Sequence, residues 1–243
     1  MLPSGMIIAF EGLDCSFKET NYREYCRRLT TGNPNMKIFV ESFPRYNSDS
    51  SLFIKRWLNG DIDRNHLMKH SRAVDSFYSL DRLSYWYDKN QDSSMMIEHL
   101  AQNACFIFDR YNFSNAIYNP INGNMPTIDD FMLDTKDFGV PNPDIVVWMH
   151  MRDFSVLENL VRQKNNKDAN EKDLNFLKTV WERSEYVLKK KYLKKIGVKC
   201  IVIECIDQNG NIRSKEDIAN DVWNSIENTI RKIKLERGEC INE

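Results

Sequence analysis

The chain has 243 residues, enough for one sizeable domain with a full core, and its 42% apolar and 12% aromatic content excludes a disordered polypeptide. Its 34 basic and 35 acidic residues leave a net charge of −1, which argues against a dedicated nucleic-acid binder. No apolar stretch is long enough to span a bilayer, so no membrane partner is expected.

In chain order, Met6 to Phe10 is a continuous apolar run and reads as a buried parallel strand. A helix follows from near Thr20 to Thr30, ended by Gly32 and Pro34, and then a second strand over Lys37 to Val40. Ser50 to Leu58 reads as a helix stopped by Asn59-Gly60; longer helical patterns cover Met68 to Tyr87 and Met95 to Gln102. Ala104 to Phe108 is the third strand. Thr127 with Asp129 and Asp130 marks a helix start, and Gly139, Pro141 and Pro143 close that helix before a fourth strand, Asp144 to Met149. Asp153 caps a helix to about Arg162. Gln163 to Asp173 lacks an apolar period and reads as a mobile loop. A long helix over Leu174 to Lys194, a fifth strand over Val198 to Cys205, a turn over Asp207 to Gly210 and a helix from Ser214 to about Lys232 complete the series, with a frayed tail from Glu236. Strands alternating with helices predict an α/β fold whose parallel sheet is covered on both faces.

Two stretches carry chemistry. After the third strand comes Asp109-Arg110-Tyr111, with Asn115 and Tyr118 beyond it. This puts an acid and a guanidinium at the carboxyl edge of the sheet, where open α/β sheets bind ligands. Arg110 offers a planar fork of donors suited to a phosphate, while Tyr111, Asn115 and Tyr118 add a stacking surface and a base-edge or sugar contact. After the first strand comes Glu11-Gly12-Leu13-Asp14-Cys15-Ser16-Phe17-Lys18-Glu19-Thr20, in the strand–turn–helix position of a phosphate-binding loop, G-x-x-x-x-G-K-[ST]. Gly12 and Lys18 fit that pattern. Phe17 stands in place of the second glycine, where a side chain is expected to crowd the cradle, and Glu19 in place of the hydroxyl, which Thr20 could supply one residue later.

Five ordered blocks make the chain, from about Met6 to about Val222, resemble thymidylate kinases of the bacterial type. Glu11, Gly12, Asp14, Lys18 and Thr20 match the family's E-G-x-D-G-x-G-K-[ST]-T, with Cys15 and Phe17 replacing two glycines. Phe43-Pro44-Arg45-Tyr46 is similar to F-P-R-Y, and Phe77 to Arg82 to F-[FY]-A-x-D-R. Asp109-Arg110-Tyr111, Ser114-Asn115-Ala116 and Tyr118 match D-R-Y-x-x-S-N-A-x-Y, and Gly139 to Asp144 matches G-[LV]-P-x-P-D. The resemblance implies a P-loop NTPase fold, a three-layer α/β/α sandwich on a five-stranded parallel sheet. It implies one nucleoside monophosphate kinase domain over residues 1–235, with a lid at about 162–173 and a tail at 236–243.

The implied reaction transfers the ATP γ-phosphate to dTMP, or a close pyrimidine deoxynucleotide, for dTTP synthesis. By the same resemblance, residues Gly12 to Thr20 cradle ATP, with Leu13, Cys15 and Ser16 in the loop and Lys18 on the γ-phosphate. Mg²⁺ is held mainly by phosphates, with Thr20 or Glu19 as its protein contact. Tyr78 stacks on the acceptor base and Arg82 meets its edge. Arg45, Tyr46 and Arg110 hold the acceptor phosphate, with Asp109 and Tyr111 alongside, and Asp14 lies by the sugar or the transferring region. Asn115 and Tyr118 line the base and sugar pocket, the aromatic favouring a deoxyribose. Arg162, Lys164 and Lys167 supply lid charge, and Arg162 joins Lys18, Arg110 and Asp14 as a catalytic expectation. The alternative is a nucleotide-binding pseudokinase that keeps the acceptor pocket and has lost efficient ATP use through Phe17 and Glu19.

Plainer readings compete residue by residue. Phe77, Tyr78 and Tyr85 fit the core face of a helix, Arg45 and Arg82 fit surface ion pairs, and 162–167 fits a solvated loop. His66 and His70, four apart, have no evident third ligand, and no metal site is assigned to them. Six scattered cysteines without a CxxC pair suit a reducing compartment. With no basic segment ahead of the first strand, a cytoplasmic location is expected. A homodimer is expected by family analogy alone.

Overall fold

The structure, a computed structural model, describes residues 5–33, 35–63, 66–67, 70–89, 95–102, 104–120, 125–165, 167 and 169–238. Five strands form one parallel sheet in the order β2-β3-β1-β4-β5: β1 (Met6–Gly12), β2 (Ile38–Ser42), β3 (Cys105–Asp109), β4 (Ile145–His150) and β5 (Lys199–Glu204). Strand β1 is buried along its whole length because it lies at the centre with helices on both faces, which is why its sequence is an unbroken apolar run rather than an alternating one.

On one face α1 (Lys18–Gly32) packs with Tyr22 and Tyr25 against Phe10 of β1, and Trp223 of the last helix, α11 (Lys215–Arg237), meets Tyr25. On the other face Tyr85 and Trp86 of α3 (Ser71–Tyr87) pack against Phe106 and Phe108 of β3. Between these lie a short 3-10 turn (Asp49–Ser51), α2 (Leu52–Asn59), α4 (Met96–Ala101), α5 (Asn112–Tyr118), α6 (Ile128–Phe138), α7 (Phe154–Gln163), α8 (Ala169–Lys172), α9 (Leu174–Lys190) and α10 (Tyr192–Lys195). The expected caps form: the Asp153 carboxylate accepts from Ser155 N–H and the Ser214 hydroxyl from Asp217 N–H. Thr127 N–H donates to the Asp130 carboxylate at 2.7 Å.

The sequence reading needs four corrections. Residues 112–118 form a helix that it did not assign. The segment 163–173, expected to be an irregular loop, contains α8. The helix expected over Leu174 to Lys194 breaks at Lys191, whose φ of 54° ends α9 and starts α10. The last helix continues past Lys232 to Arg237 rather than fraying. It is held there by Ile233 in the core and by ion pairs from Glu236 to Lys199 and from Arg237 to Asp144. The start expected at Met68 lies outside the described residues; the observed helix begins at Ser71.

Topology decides where a ligand can sit. The chain leaves β1 toward β2 on one side and leaves β3 toward β4 on the other. A crevice therefore opens between the carboxyl ends of β1 and β3, the usual position of a site in such sheets.

Candidate active site

The loop leaving β1 is built from backbone. Gly12 has φ 144°, and a Cβ there would lie 2.7 Å from the Met149 carbonyl and 2.8 Å from Ser16 Oγ, so only glycine fits. Ser16 N–H and Oγ donate to the Leu13 carbonyl at 3.3 and 2.7 Å, and Lys18 Nζ donates to the same oxygen at 2.9 Å. Cys15 and Phe17, the two residues standing at glycine positions of the pattern, have φ values of 60° and 64°. The loop thus keeps the left-handed turns that glycine would provide, at a cost of roughly 1 to 2 kcal/mol for each residue with a Cβ. Both side chains pack against the core. Lys18 is buried, and burial, helped by the nearby Arg110, pushes its ammonium down to about 8 against the pull of Asp14, Asp109 and Glu11.

The residues leaving β3 answer that loop. Arg110, with φ 60°, forms an ion pair with Asp14 and donates to the Gly12 carbonyl at 3.2 Å and Ser114 Oγ at 3.3 Å; its guanidinium lies 5.5 Å from the Tyr118 ring centroid. Tyr118 OH donates to the other Asp14 oxygen at 2.9 Å. Burial alone would raise the Asp14 carboxyl pKa, but Arg110, Lys18 and Tyr118 outweigh it and hold the group below its usual range.

Glu11, unassigned at the sequence level, is wholly buried at the end of β1. It accepts from Tyr111 N–H at 2.9 Å, Ser114 N–H at 3.2 Å and the Ser114 hydroxyl, and burial raises its pKa. It pins the start of α5 to β1, so the N-terminus of α5 and the phosphate-loop strand are positioned together. An acid closing an otherwise apolar strand was the signal for it.

Beside this loop lies a cavity lined by Asp14, Phe43, Pro44, Tyr46, Leu58, Tyr78, Arg82, Arg110, Tyr111, Ser114, Asn115, Tyr118, Asn119 and Asn170. It gathers residues from after β1, after β2, from α3 and from α5. Asn115 and Tyr118 face it together because α5 places positions three apart on one side. Arg82 is only 1% exposed; it pairs with Asp134 of α6, which also accepts from Ser79 Oγ at 2.5 Å. Its Nη2 has no partner among the described residues, leaving a buried donor next to the cavity. Asp134 carried no sequence signal, because only the fold brings α6 against α3.

Other expected residues lie elsewhere. Arg45 does not line the cavity: its Nε donates to Asp81 Oδ1 at 3.1 Å, its Nη2 to Ser50 Oγ and the Asp81 carbonyl at 3.0 Å each, and its guanidinium lies 5.4 Å from the Tyr85 centroid. Asp109 also lies outside the lining and accepts from Ser42 Oγ at 3.2 Å. Phe77 stacks on Phe53, and Tyr85 is core. Glu19 is exposed and paired with Arg23 one turn along α1, and Thr20 is exposed. Among the described residues no cluster of three or more His, Cys, Asp or Glu could hold a metal; the His66 and His70 rings are 5.0 Å apart.

Of the three cations expected in a lid, Arg162 pairs with Glu158 on its own helix and Lys167 donates to the Arg162 carbonyl. Lys164 is the one close enough to Asp14 and Cys15 to act on them electrostatically, and it is bound at 2.6 Å to the buried Glu171 of α8. On the far side of the phosphate loop, where Cys205 Sγ contacts the Ser16 carbonyl at 3.5 Å, a second groove is lined by Arg152, Asp153, Phe154, Trp181, Ile206, Asp207, Gln208 and Gly210. His150, at the end of β4 near this groove, sits between Glu185 (2.6 Å) and Glu204 (3.0 Å). Burial opposes its charge, but those carboxylates prevail and raise its pKa.

The family model described as thymidylate kinase matches residues 10–200. No curated protein matches the chain. Among solved structures, a thymidylate kinase from Candida albicans is similar at 19% identity and a TM-score of 0.63, covering 100% of this chain and 97% of that one. A thymidylate kinase from Ehrlichia chaffeensis is similar at 17% identity and a TM-score of 0.61, covering 92% of this chain and 100% of that one.

Proposed function

The chain belongs to the thymidylate kinase family, and on that premise we propose that this phosphotransferase passes the γ-phosphate of ATP to dTMP or a close pyrimidine deoxynucleotide. The observation that carries the choice of acceptor is the buried Arg82 Nη2, without a partner among the described residues, beside a cavity that Tyr78 and Asn115 also line. A buried donor of this kind is costly unless a ligand acceptor meets it, and the 4-oxo group of thymine is such an acceptor. Tyr78 offers a ring for the base. Tyr118, held by Asp14, would lie beside the sugar and favour a deoxyribose.

The donor loop fits nucleotide phosphates. The positive-φ residues Gly12, Cys15 and Phe17, just before α1, support a loop whose free N–H groups would meet an anion. Mg²⁺·ATP would supply the transferable phosphoryl group and partial neutralisation of its charge, and Thr20 or Glu19 would be the protein's side of the metal site. Lys18 would leave the Leu13 carbonyl to meet the γ-phosphate. Arg110 would exchange part of its hold on Asp14 for the acceptor phosphate and align it for in-line attack. The acceptor phosphate oxygen is already anionic, so no general base is needed. Lys164, in the segment proposed as a lid at about 162–173, supports closure because, of the three cations expected there, it is the one that acts on Asp14. The groove of Phe154, Trp181 and Arg152 supports a place for the donor base. Arg162 and Arg45 would take part only after giving up their present partners. A homodimer and a cytoplasmic location remain part of this proposal.

A second reading, a nucleotide binder without turnover, is favoured by the side chains at Cys15 and Phe17. An ADP-release assay with ATP, Mg²⁺ and dTMP, beside a thermal-shift titration with dTMP alone, separates the two. Turnover is expected; a dTMP-induced shift without turnover establishes the binder, and neither signal removes both.

A further inference from the structure

Helix α5 carries three of the residues that line the cavity, Ser114, Asn115 and Tyr118, yet it has only seven residues. A helix that short is not stable by itself, so its ends must be held from elsewhere in the chain. Its start is held by Glu11, which accepts from Tyr111 N–H and Ser114 N–H. Its end is held by Arg183 of α9, a residue that is 7% exposed and that the reaction above does not use. Arg183 Nη1 donates at 3.2 Å to the Ile117 carbonyl and at 3.2 Å to the Tyr118 carbonyl. Carbonyls of a last turn have no donor within their helix, and a cation at that end also suits the helix dipole. Two residues earlier on α9, Trp181 turns the other way: its Nε1 donates to the Met151 carbonyl at 2.7 Å, and the residue lines the second groove. Arg183 therefore reaches α5 from a helix that is anchored on its far side.

Resting on the reading of this cavity as the acceptor pocket, we propose that Arg183 is a positioning residue for the acceptor: it fixes the last turn of α5, and with it the Tyr118 ring beside the sugar, and thereby sets the preference for a deoxyribose over a ribose. Tyr118 is held at both of its ends. Its carbonyl is bound by Arg183 and its hydroxyl by Asp14 at 2.9 Å, with the Arg110 guanidinium 5.5 Å from the ring centroid. With the carbonyl released, the hydroxyl bond alone leaves the ring free to swing about Asp14, and a 2′-hydroxyl no longer meets a fixed obstacle. Arg183 does not line the cavity and acts only through the backbone of α5. Asp130 of α6 also acts on the guanidinium, so charge pairing with that carboxylate is the rival, purely structural role.

The test compares the dissociation constants of dTMP, of its 2′-hydroxy counterpart 5-methyluridine 5′-monophosphate and of ADP. They are measured by titration calorimetry on the wild-type chain, Arg183→Lys and Arg183→Met. The first two ligands share base and phosphate, so their ratio reads the sugar alone. Lysine keeps the charge that answers Asp130 but is shorter and lacks the guanidinium fork, whereas methionine removes charge and donor together. In both variants the preference for dTMP over its 2′-hydroxy counterpart is expected to fall roughly tenfold, the scale of one lost hydrogen bond, with ADP affinity unchanged. If Arg183→Lys keeps the wild-type ratio, charge alone suffices and the proposal is overturned, whether or not Arg183→Met folds. Equal losses of dTMP and ADP affinity also overturn it, since the effect is then general to the fold. So does a wild-type chain that binds dTMP without preferring it to the 2′-hydroxy ligand. If the wild-type chain binds no dTMP, the acceptor-pocket reading itself fails, and this inference goes with it.

Discussion

The loop after β1 and the cavity beside it, proposed above as the donor-phosphate and acceptor sites, meet at Asp14 and Arg110 but are built from different materials. On the proposed reading, the loop would work through its backbone N–H groups. It holds positive φ at Cys15 and Phe17 as well as at Gly12, so its shape survives the loss of two glycines, at a cost in strain. The cavity is lined by side chains, among them Arg82, Asn115, Tyr78 and Tyr118, and on the proposed reading would work through them. Backbone-made sites tolerate substitution as long as the conformation persists. Side-chain-made sites tolerate it only where the supporting partners change too.

The strongest challenge to this contrast is Arg82→Ala. It strands Asp134 as a buried, unpaired carboxylate and is expected to cost about 3 to 5 kcal/mol in stability, measured by urea unfolding. A loss below 1 kcal/mol would mean that the cavity is not held by this pair. Next, Arg110→Ala is expected to weaken dTMP binding by about 1.5 to 3 kcal/mol in titration calorimetry, since one charged hydrogen-bonding group is removed. Unchanged affinity would take Arg110 out of the acceptor site.

Lys18 provides a test of the loop by pH. The residue is charged below its pKa of about 8 and neutral above it. Because kcat/KM reports the free enzyme, its value for ATP is expected to fall about tenfold for each pH unit above that point, while kcat, which reports the phosphate-bound state, holds to higher pH. Parallel falls in both would detach the effect from Lys18. The smallest effect is expected from Phe17→Gly. Removing a Cβ from a left-handed residue gains about 1 to 2 kcal/mol, offset by roughly 0.5 to 1 kcal/mol of added chain entropy in the unfolded state and by the lost packing of the ring against the core, so the net change is expected to be small. A net rise in stability with faster turnover would show that the loop was merely strained. A rise in stability without faster turnover would show that the loop has been refitted around the aromatic ring.

Much of the fold was legible because its signals are local. Five apolar runs gave the strands to within about two residues, and Asp153 and Ser214 cap where hydroxyl and carboxylate chemistry says they should. Helix α5 was missed because its seven residues carry polar groups on the site side, which hides the apolar period. The break at Lys191 was missed because lysine gives no warning of a positive φ. Helix α11 outran its expected end because distant partners, Lys199 and Asp144, hold its last turn.

For the site, the sequence by itself determined the parts list. Asp109-Arg110-Tyr111 after a strand, Gly12 and Lys18 after another, and Tyr78 with Arg82 on a helix are all patterns of short range. Tertiary structure alone decided which of those parts share a cavity. It drew Arg45 into a buried pair with Asp81, tied Arg162 to Glu158, brought Lys164 toward Asp14, and set Asp134 behind Arg82 and Arg183 behind Tyr118. The physical reason is range. Propensity, capping and loop chemistry act over a few residues, whereas desolvation and ion pairing act between whichever groups the packed helices bring within a few ångströms.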